Sequence, residues 1–306
     1  MRACAPGKLV LSGAYSVLVG APAIVSAVDR YVCCDSERLA TLETPEVRAA
    51  LPHGPLPHFD ATALRADGRK LGLGSSAAIL LASLAAADPR SFDSEHALRL
   101  ALAGPALVAH RQAQGGGSGI DVAASTWGGT LIATRAPDGE LELEPCALPS
   151  ELVVEVWSSP VAASTPELLA GVARLGTRSP EQHAQSFAEL TAAAQRAAGA
   201  LRAGQTADLI AQLQQQGAGL AALGAAAGVP IVTPEARRLA ALAASEGAAV
   251  LPSGAGGGDI VLWVSSHASP AAFRDLATAL GHHQLHLSLH ARGVHRCPPE
   301  GTRRGT

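Results

Sequence analysis

Four short stretches of this chain set glycine beside residues able to handle a phosphate group or a proton. The most informative is Lys70-Leu-Gly-Leu-Gly-Ser-Ser-Ala-Ala78, which runs into the alanine-rich segment Ile79 to Ala87. Gly72 and Gly74 can adopt φ > 0 and bring the backbone close to a ligand. Because the residues after them are good helix formers, the stretch reads as a glycine loop feeding a helix N-terminus. Unpaired N–H groups and the positive end of the helix dipole make that terminus an anion site. The hydroxyls of Ser75 and Ser76 can cap the helix, bond a phosphate oxygen or ligate a hard cation such as Mg²⁺. Standing alone, a Gly-x-Gly-Ser-Ser is more often an ordinary cap, so the other stretches decide the matter.

Lysine usage adds a second signal. Lys and Arg together number 23, yet only Lys8 and Lys70 are lysines, and both lie in glycine-containing segments. A compact ammonium makes a point-charge phosphate contact that a guanidinium does not reproduce. The third stretch, Gln114-Gly-Gly-Gly-Ser-Gly-Ile-Asp121, spends chain entropy on glycines without packing return and ends on a carboxylate. Asp121 reads equally as an N-cap for a short helix Val122 to Thr126. The fourth is Pro252-Ser-Gly-Ala-Gly-Gly-Gly-Asp259, between two apolar runs.

These loops need elements to hold them. Leu9 to Val32 reads as strand, turn, strand, with Lys8 just before the first strand, and Arg38 to Gly68 is mixed. The glycine loop leads a helix to about Ala87. A second helix is expected from Ser94 to about Gly104, and Pro105 is expected to begin another, to about Gln112. Thr130 to Thr134 and Glu140 to Glu144 form a strand pair around a Pro-Asp-Gly turn. After a β-rich run at Leu152 to Trp157, helices are expected over 165–175, 180–203, 206–226 and 234–246. They are followed by strands around the fourth glycine cluster, a helix from Pro270 to Leu280 and a strand from Gln284 to Leu289. Pro298 to Thr306 reads as a frayed tail.

Composition narrows the class. The 306 residues are 48% hydrophobic and 16% charged with a net charge of −3, which suits a globular protein of two domains or one large one and argues against nucleic acid or anionic membrane as the main partner. The N-terminus does not read as a signal peptide and no long apolar run stands out, so a cytoplasmic location is expected. The five cysteines fit neither a metal spacing nor a disulfide framework, and Cys33-Cys34 read as reduced strand residues. His53 and His58 read as loop residues, and His282, His283, His286 and His290 as surface or sheet positions rather than metal ligands. Alanine-rich helical faces suit intramolecular packing and a homodimer equally.

Four segments in order resemble the GHMP family of small-molecule kinases: Ala5-Pro-Gly-Lys-Leu-Val-Leu-Ser-Gly-Ala-Tyr15, Gly72-Leu-Gly-Ser-Ser-Ala77, Gly117-Ser-Gly-Ile-Asp-Val122 and Ser253-Gly-Ala-Gly-Gly-Gly-Asp259. The resemblance covers residues 5 to 264. It implies an α+β, two-domain architecture. Residues 1–150 would form an ATP-binding domain of the ribosomal-protein-S5 type, and residues 151–306 a ferredoxin-like domain with long helices that closes over the substrate. It implies ATP and Mg²⁺ as cofactors, with Lys70, Gly72, Leu73, Gly74, Ser75, Ser76 and Ala77 on the nucleotide and Ser75 and Ser76 also on the metal. Lys8 and Asp121 would be catalytic. Lys8, Tyr15, Gly117, Ser118, Gly119, Asp121, Ser164, Gly254, Ala255 and Gly256 would line the acceptor.

Within the family the phosphomevalonate kinases are most similar. The glycine loop follows Asp67-Gly-Arg-Lys-Leu71, the Asp121 segment carries an Ala-Gln-Gly pattern, and His110 stands where mevalonate kinases carry a metal-binding Glu. Ser158 to Leu168 resembles their Ser/Thr-rich substrate stretch. Ala14 and Leu251 depart from the usual Glu and Lys. The implied reaction is therefore phosphomevalonate to diphosphomevalonate. The alternatives are mevalonate kinase or another alcohol kinase of the family and, from a different class, a decarboxylase or a catalytically silent nucleotide binder.

Overall fold

Strand β1 (Arg2–Ser12) opens the chain and is buried along almost its whole length. It contains Lys8, so the strand begins well before Leu9, where it was expected to start. A single 3₁₀ turn at Ser16–Val19 leads into β2 (Ala23–Leu39), whose second half alternates buried Val32 and Cys34 with exposed neighbours and runs into the stretch read as mixed. The computed structural model describes residues 1–66 and 68–297. Asp67, in the segment preceding the glycine loop, and the expected tail from Pro298 fall outside that description.

The elements that follow are α1 (Pro45–Ala50), β3 (Pro57–Asp60), which includes His58, the two-residue strands β4 (Arg65–Ala66) and β5 (Arg69–Lys70), α2 (Ser75–Ala87), α3 (Glu95–Gln114) and α4 (Ile120–Trp127). Next come β6 (Thr130–Arg135), β7 (Leu141–Cys146), β8 (Val153–Ser158), α5 (Thr165–Arg178), α6 (Pro180–Arg202), α7 (Thr206–Ala227) and α8 (Pro234–Ser245). The last elements are β9 (Ala249–Pro252), β10 (Ile260–Ser265), α9 (Ala271–Ala279), β11 (His283–Leu285) and β12 (His295–Arg296). The final expected strand is thus shorter, and Leu289 keeps only a single bridge to Val28.

By packing, the chain divides into two units that interleave along the sequence. The first holds Met1–Leu9, Ser26–Thr130 and Ser288–Thr306; the second holds Val10–Val25 and Leu131–Leu287. The larger sheet has the order β12-β1-β2-β6-β7, with β3 also on β2. In the first unit α2 is buried on almost every side, as a helix apolar all round must be. α3 is one continuous helix rather than two. Ser94 caps its start by accepting from Ala97 N at 3.1 Å, and Leu98, Leu102, Ala106 and His110 are buried along it. Pro105 lies on its exposed side, where packing of the opposite face outweighs the lost hydrogen bond.

The second unit is built on an antiparallel sheet of order β11-β8-β10-β9. Counted along the chain these strands stand 4-1-3-2, with helices in the first and third connections, the ferredoxin-like arrangement. Its core joins Trp157, Trp263 and Phe273 to Leu168, Leu175, Leu190, Leu220 and Leu223 from the helices. The Trp263 and Phe273 rings lie 4.6 Å apart. His282, expected at the surface or in the sheet, is fully buried just before β11, and burial holds its pKa below the usual histidine value. Among the described residues no helix is long and apolar enough to cross a membrane.

The cysteines correct one expectation. Cys4 on β1 and Cys33 on the adjacent β2 bring their Cα atoms to 4.2 Å and are joined by a disulfide. Strand pairing brings together two residues whose 29-residue separation gave no hint of it. Cys34 points the other way, is buried against Ser83, and its thiol is pushed up to about 12 by burial.

Candidate active site

Within the first unit, the glycine loop and β1 are locked together by the backbone. Lys8 N donates to Leu73 O at 2.8 Å, and the buried Lys8 ammonium donates to Gly72 O at 3.3 Å. Gly74 sits at φ +74° as the cap of α2, and a side chain there would strike the Lys8 stem 2.9 Å away. Glycine is required on both counts. No side chain caps α2, so its N-terminal N–H groups keep the anion-binding character read from the sequence.

The same terminus is wired to Asp121. His110, buried on α3, places Nε2 3.3 Å from Ser76 Oγ and 3.4 Å from Asp121 Oδ2. A carboxylate only accepts, so a proton on Nε2 serves the Asp121 pair. Gln114 Nε2 donates to Ser76 Oγ at 3.2 Å and to Glu46 Oε1 at 3.1 Å. Asp121 is not the helix cap; Gly119, at φ +80°, is, and the carboxylate sits in the first turn of α4 with Oδ1 accepting from Val122 N at 3.0 Å. α4 is fixed beside Lys8 in sequence by Ser125 Oγ, which donates to Pro6 O at 2.7 Å. Gly117 and Ser118 lead into the cap, with Gly117 exposed. Lys70 is exposed on β5 of the small β4–β5 hairpin, paired with Arg65.

This donor set suits Mg²⁺. A hydroxyl and a carboxylate, both hard oxygen donors, converge on one histidine nitrogen at the mouth of a helix. Among the described residues no cluster of three or more His, Cys, Asp or Glu could hold a metal by itself. Mg²⁺ takes one or two protein oxygens and shares the rest of its shell with phosphates and water.

In the second unit the other two motifs meet. Tyr15, held at φ +63°, donates its hydroxyl to Ala255 O at 2.7 Å, and burial pushes its pKa up, so the hydroxyl stays a donor. The turn before it is clamped by buried Gln216 of α7, whose Oε1 accepts from Gly13 N at 2.8 Å and whose amide donates to Ser12 Oγ at 2.9 Å. Ser253 Oγ accepts from Val10 N at 2.9 Å. Gly254 and Gly256 both have positive φ, and Gly256 packs so closely on the Ile231 carbonyl that no side chain fits. At the end of the loop Asp259 accepts from Ala163 N at 3.1 Å, next to Ser164, which stands at the start of α5 without a side-chain capping bond. Leu251 is buried on β9 opposite Leu262, and Ala14 packs at the edge of the core.

Glu46 and Gln216 carry no sequence signal: one lies in a stretch read as mixed, the other in a glutamine run on a helix. In the sequence His110 stands out by what it replaces, not by the bridge it makes.

No protein-family model matches the chain. Among curated proteins it is 30% identical over 332 residues to a phosphomevalonate kinase of Streptomyces sp. strain CL190, a match spanning 83% of this chain and 87% of that one. A mevalonate kinase of Archaeoglobus fulgidus is 30% identical over 199 residues, 59% of this chain and 66% of that one. Among solved structures, the Streptococcus pneumoniae phosphomevalonate kinase in complex with phosphomevalonate and AMPPNP has a TM-score of 0.76 at 17% identity, covering 94% of this chain and 99% of that chain. That likeness speaks for the fold. The fold and the Streptomyces relative together define a phosphotransferase acting on a small molecule. The chain belongs to the GHMP family of kinases, and within it resembles the phosphomevalonate kinases.

Proposed function

We propose that this kinase transfers the γ-phosphoryl group of ATP to phosphomevalonate, giving diphosphomevalonate and ADP. The observation that carries the reading is the match to the Streptomyces enzyme across most of both chains. The His110 bridge between Ser76 and Asp121 supports it by linking the phosphate-loop hydroxyl to the carboxylate.

Phosphoryl transfer asks a protein mainly for positioning and charge neutralisation. In this reading Gly72, Leu73, Gly74, Ser75, Ser76 and Ala77 hold the nucleotide phosphates on the α2 terminus, with Lys70 beside them as a further cation. Ser75 and Ser76 would hold Mg²⁺, which would supply charge neutralisation to the nucleotide phosphates. Asp121 orients the acceptor oxygen, and Lys8 stabilises charge near it. Tyr15, Gly117, Ser118, Gly119, Ser164, Gly254, Ala255 and Gly256 recognise the acceptor. A phosphate acceptor is already largely ionised near neutral pH, so Asp121 acts more by orienting than by removing a proton. The domain boundary near residue 150 and a cytoplasmic location belong to the same reading.

The second reading, a mevalonate kinase, is favoured by the Archaeoglobus relative, and in it Asp121 takes the proton of an alcohol. ADP release measured with mevalonate, phosphomevalonate, diphosphomevalonate, galactose and homoserine separates the two. Turnover confined to phosphomevalonate supports the first and turnover with mevalonate the second. CO₂ released from diphosphomevalonate marks a decarboxylase, and nucleotide stabilisation without turnover marks a silent binder.

A further inference from the structure

Three sulfur atoms meet on one part of the first unit. Cys4 on β1 is bonded to Cys33 on β2, and the Sγ of Cys297, just past β12, lies 3.2 Å from Cys4 Sγ. Because β1 runs between β12 and β2, Cys4 is the central sulfur with a neighbour on each side. The strand register holds this arrangement: Cys4 pairs with His295, and Cys297 N donates to Arg2 O at 2.9 Å. Cys4 is buried, Cys297 half-buried and Cys33 exposed. No step of the phosphoryl transfer uses any of them.

We propose that Cys4, Cys33 and Cys297 form a thiol–disulfide exchange site in which Cys4 bonds either neighbour. A thiolate at Cys297 attacks Cys4 Sγ; the Cys4–Cys297 bond forms, the Cys4–Cys33 bond breaks, and Cys33 leaves as a thiolate that takes up the proton given by Cys297. No electrons are gained or lost, so no external oxidant is needed. Exchange moves the covalent staple from a span of 29 residues to one of 293, tying the β12 end of the chain to β1, and presents Cys33 as a free exposed thiol. The Cys297 thiol is raised by burial, with Arg292 and Arg2 opposing, so exchange quickens as pH rises. β1 also carries Lys8, which gives the staple a route to the phosphate loop through one strand.

The test uses the full chain purified without reductant and held at pH 8.5. Samples taken over time are alkylated with iodoacetamide, digested without reduction and mapped by mass spectrometry. Both linked peptides, Cys4–Cys33 and Cys4–Cys297, are expected, with label appearing on Cys33 as the second link grows. Cys297→Ser should show only the Cys4–Cys33 link and leave Cys33 unlabelled. Cys33→Ser, oxidised with glutathione disulfide, should close Cys4–Cys297. A wild-type map holding the Cys4–Cys33 link alone at all times overturns the proposal. So does alkylation of all five cysteines in protein treated with glutathione disulfide.

Discussion

Asp121 shows how much a single position depends on its neighbours. Its carboxylate is held on one oxygen by Val122 N and approached on the other by His110 Nε2, so its direction is set before any substrate arrives. Asp121→Asn keeps the size and loses the charge. If the carboxylate orients the acceptor, kcat should fall at least about tenfold, roughly 1.4 kcal/mol, with KM for ATP changed less than about threefold. Steady-state kinetics checks this, and a loss below tenfold removes Asp121 from the reacting centre. The residue types and spacing made Asp121, Lys8 and the two serines legible beforehand. The contacts that aim them were not, because Glu46, Gln114 and His110 gain their meaning only where α1, α2 and α3 pack together.

At the scale of elements, the helices of the second unit were readable to within a few residues because their Leu and Ala spacing is regular and capped by Thr, Ser and Pro signals. The new helix expected to begin at Pro105 is instead the continuation of α3, because the buried stripe on either side of the proline persists. The disulfide was missed because strand pairing, not spacing, brings Cys4 to Cys33. Gln216 is the element-scale counterpart of Asp121: one buried amide on α7 holds the Ser12–Gly13 turn that positions Tyr15. Gln216→Leu should leave Gly13 N–H and Ser12 Oγ unpaired and cost about 1–3 kcal/mol. Urea unfolding should show that loss, and KM for the acceptor should rise while KM for ATP holds, since Tyr15 reaches Ala255 and not the phosphate loop.

Across the whole molecule, burial lowers three histidines, His282, His290 and His295, below the ordinary value of 6.5. The unfolded chain binds these protons more readily, so the stability they leave intact above pH 6.5 is lost as pH falls through their folded-state values. Thermal unfolding from pH 8 to pH 5 should show Tm steady down to about 6.5 and then declining, and His282→Leu should flatten part of that decline. An unchanged slope in the variant means that His282 is not one of the groups responsible.

If the acceptor oxygen belongs to a phosphate, phosphorus NMR of the product reads it directly. With phosphomevalonate and ATP, the acceptor's single phosphomonoester resonance should give way to two mutually coupled diphosphate resonances as ADP accumulates. A product with two uncoupled monoester resonances, or a monoester signal that persists unchanged, means that the acceptor oxygen is not that of a phosphate.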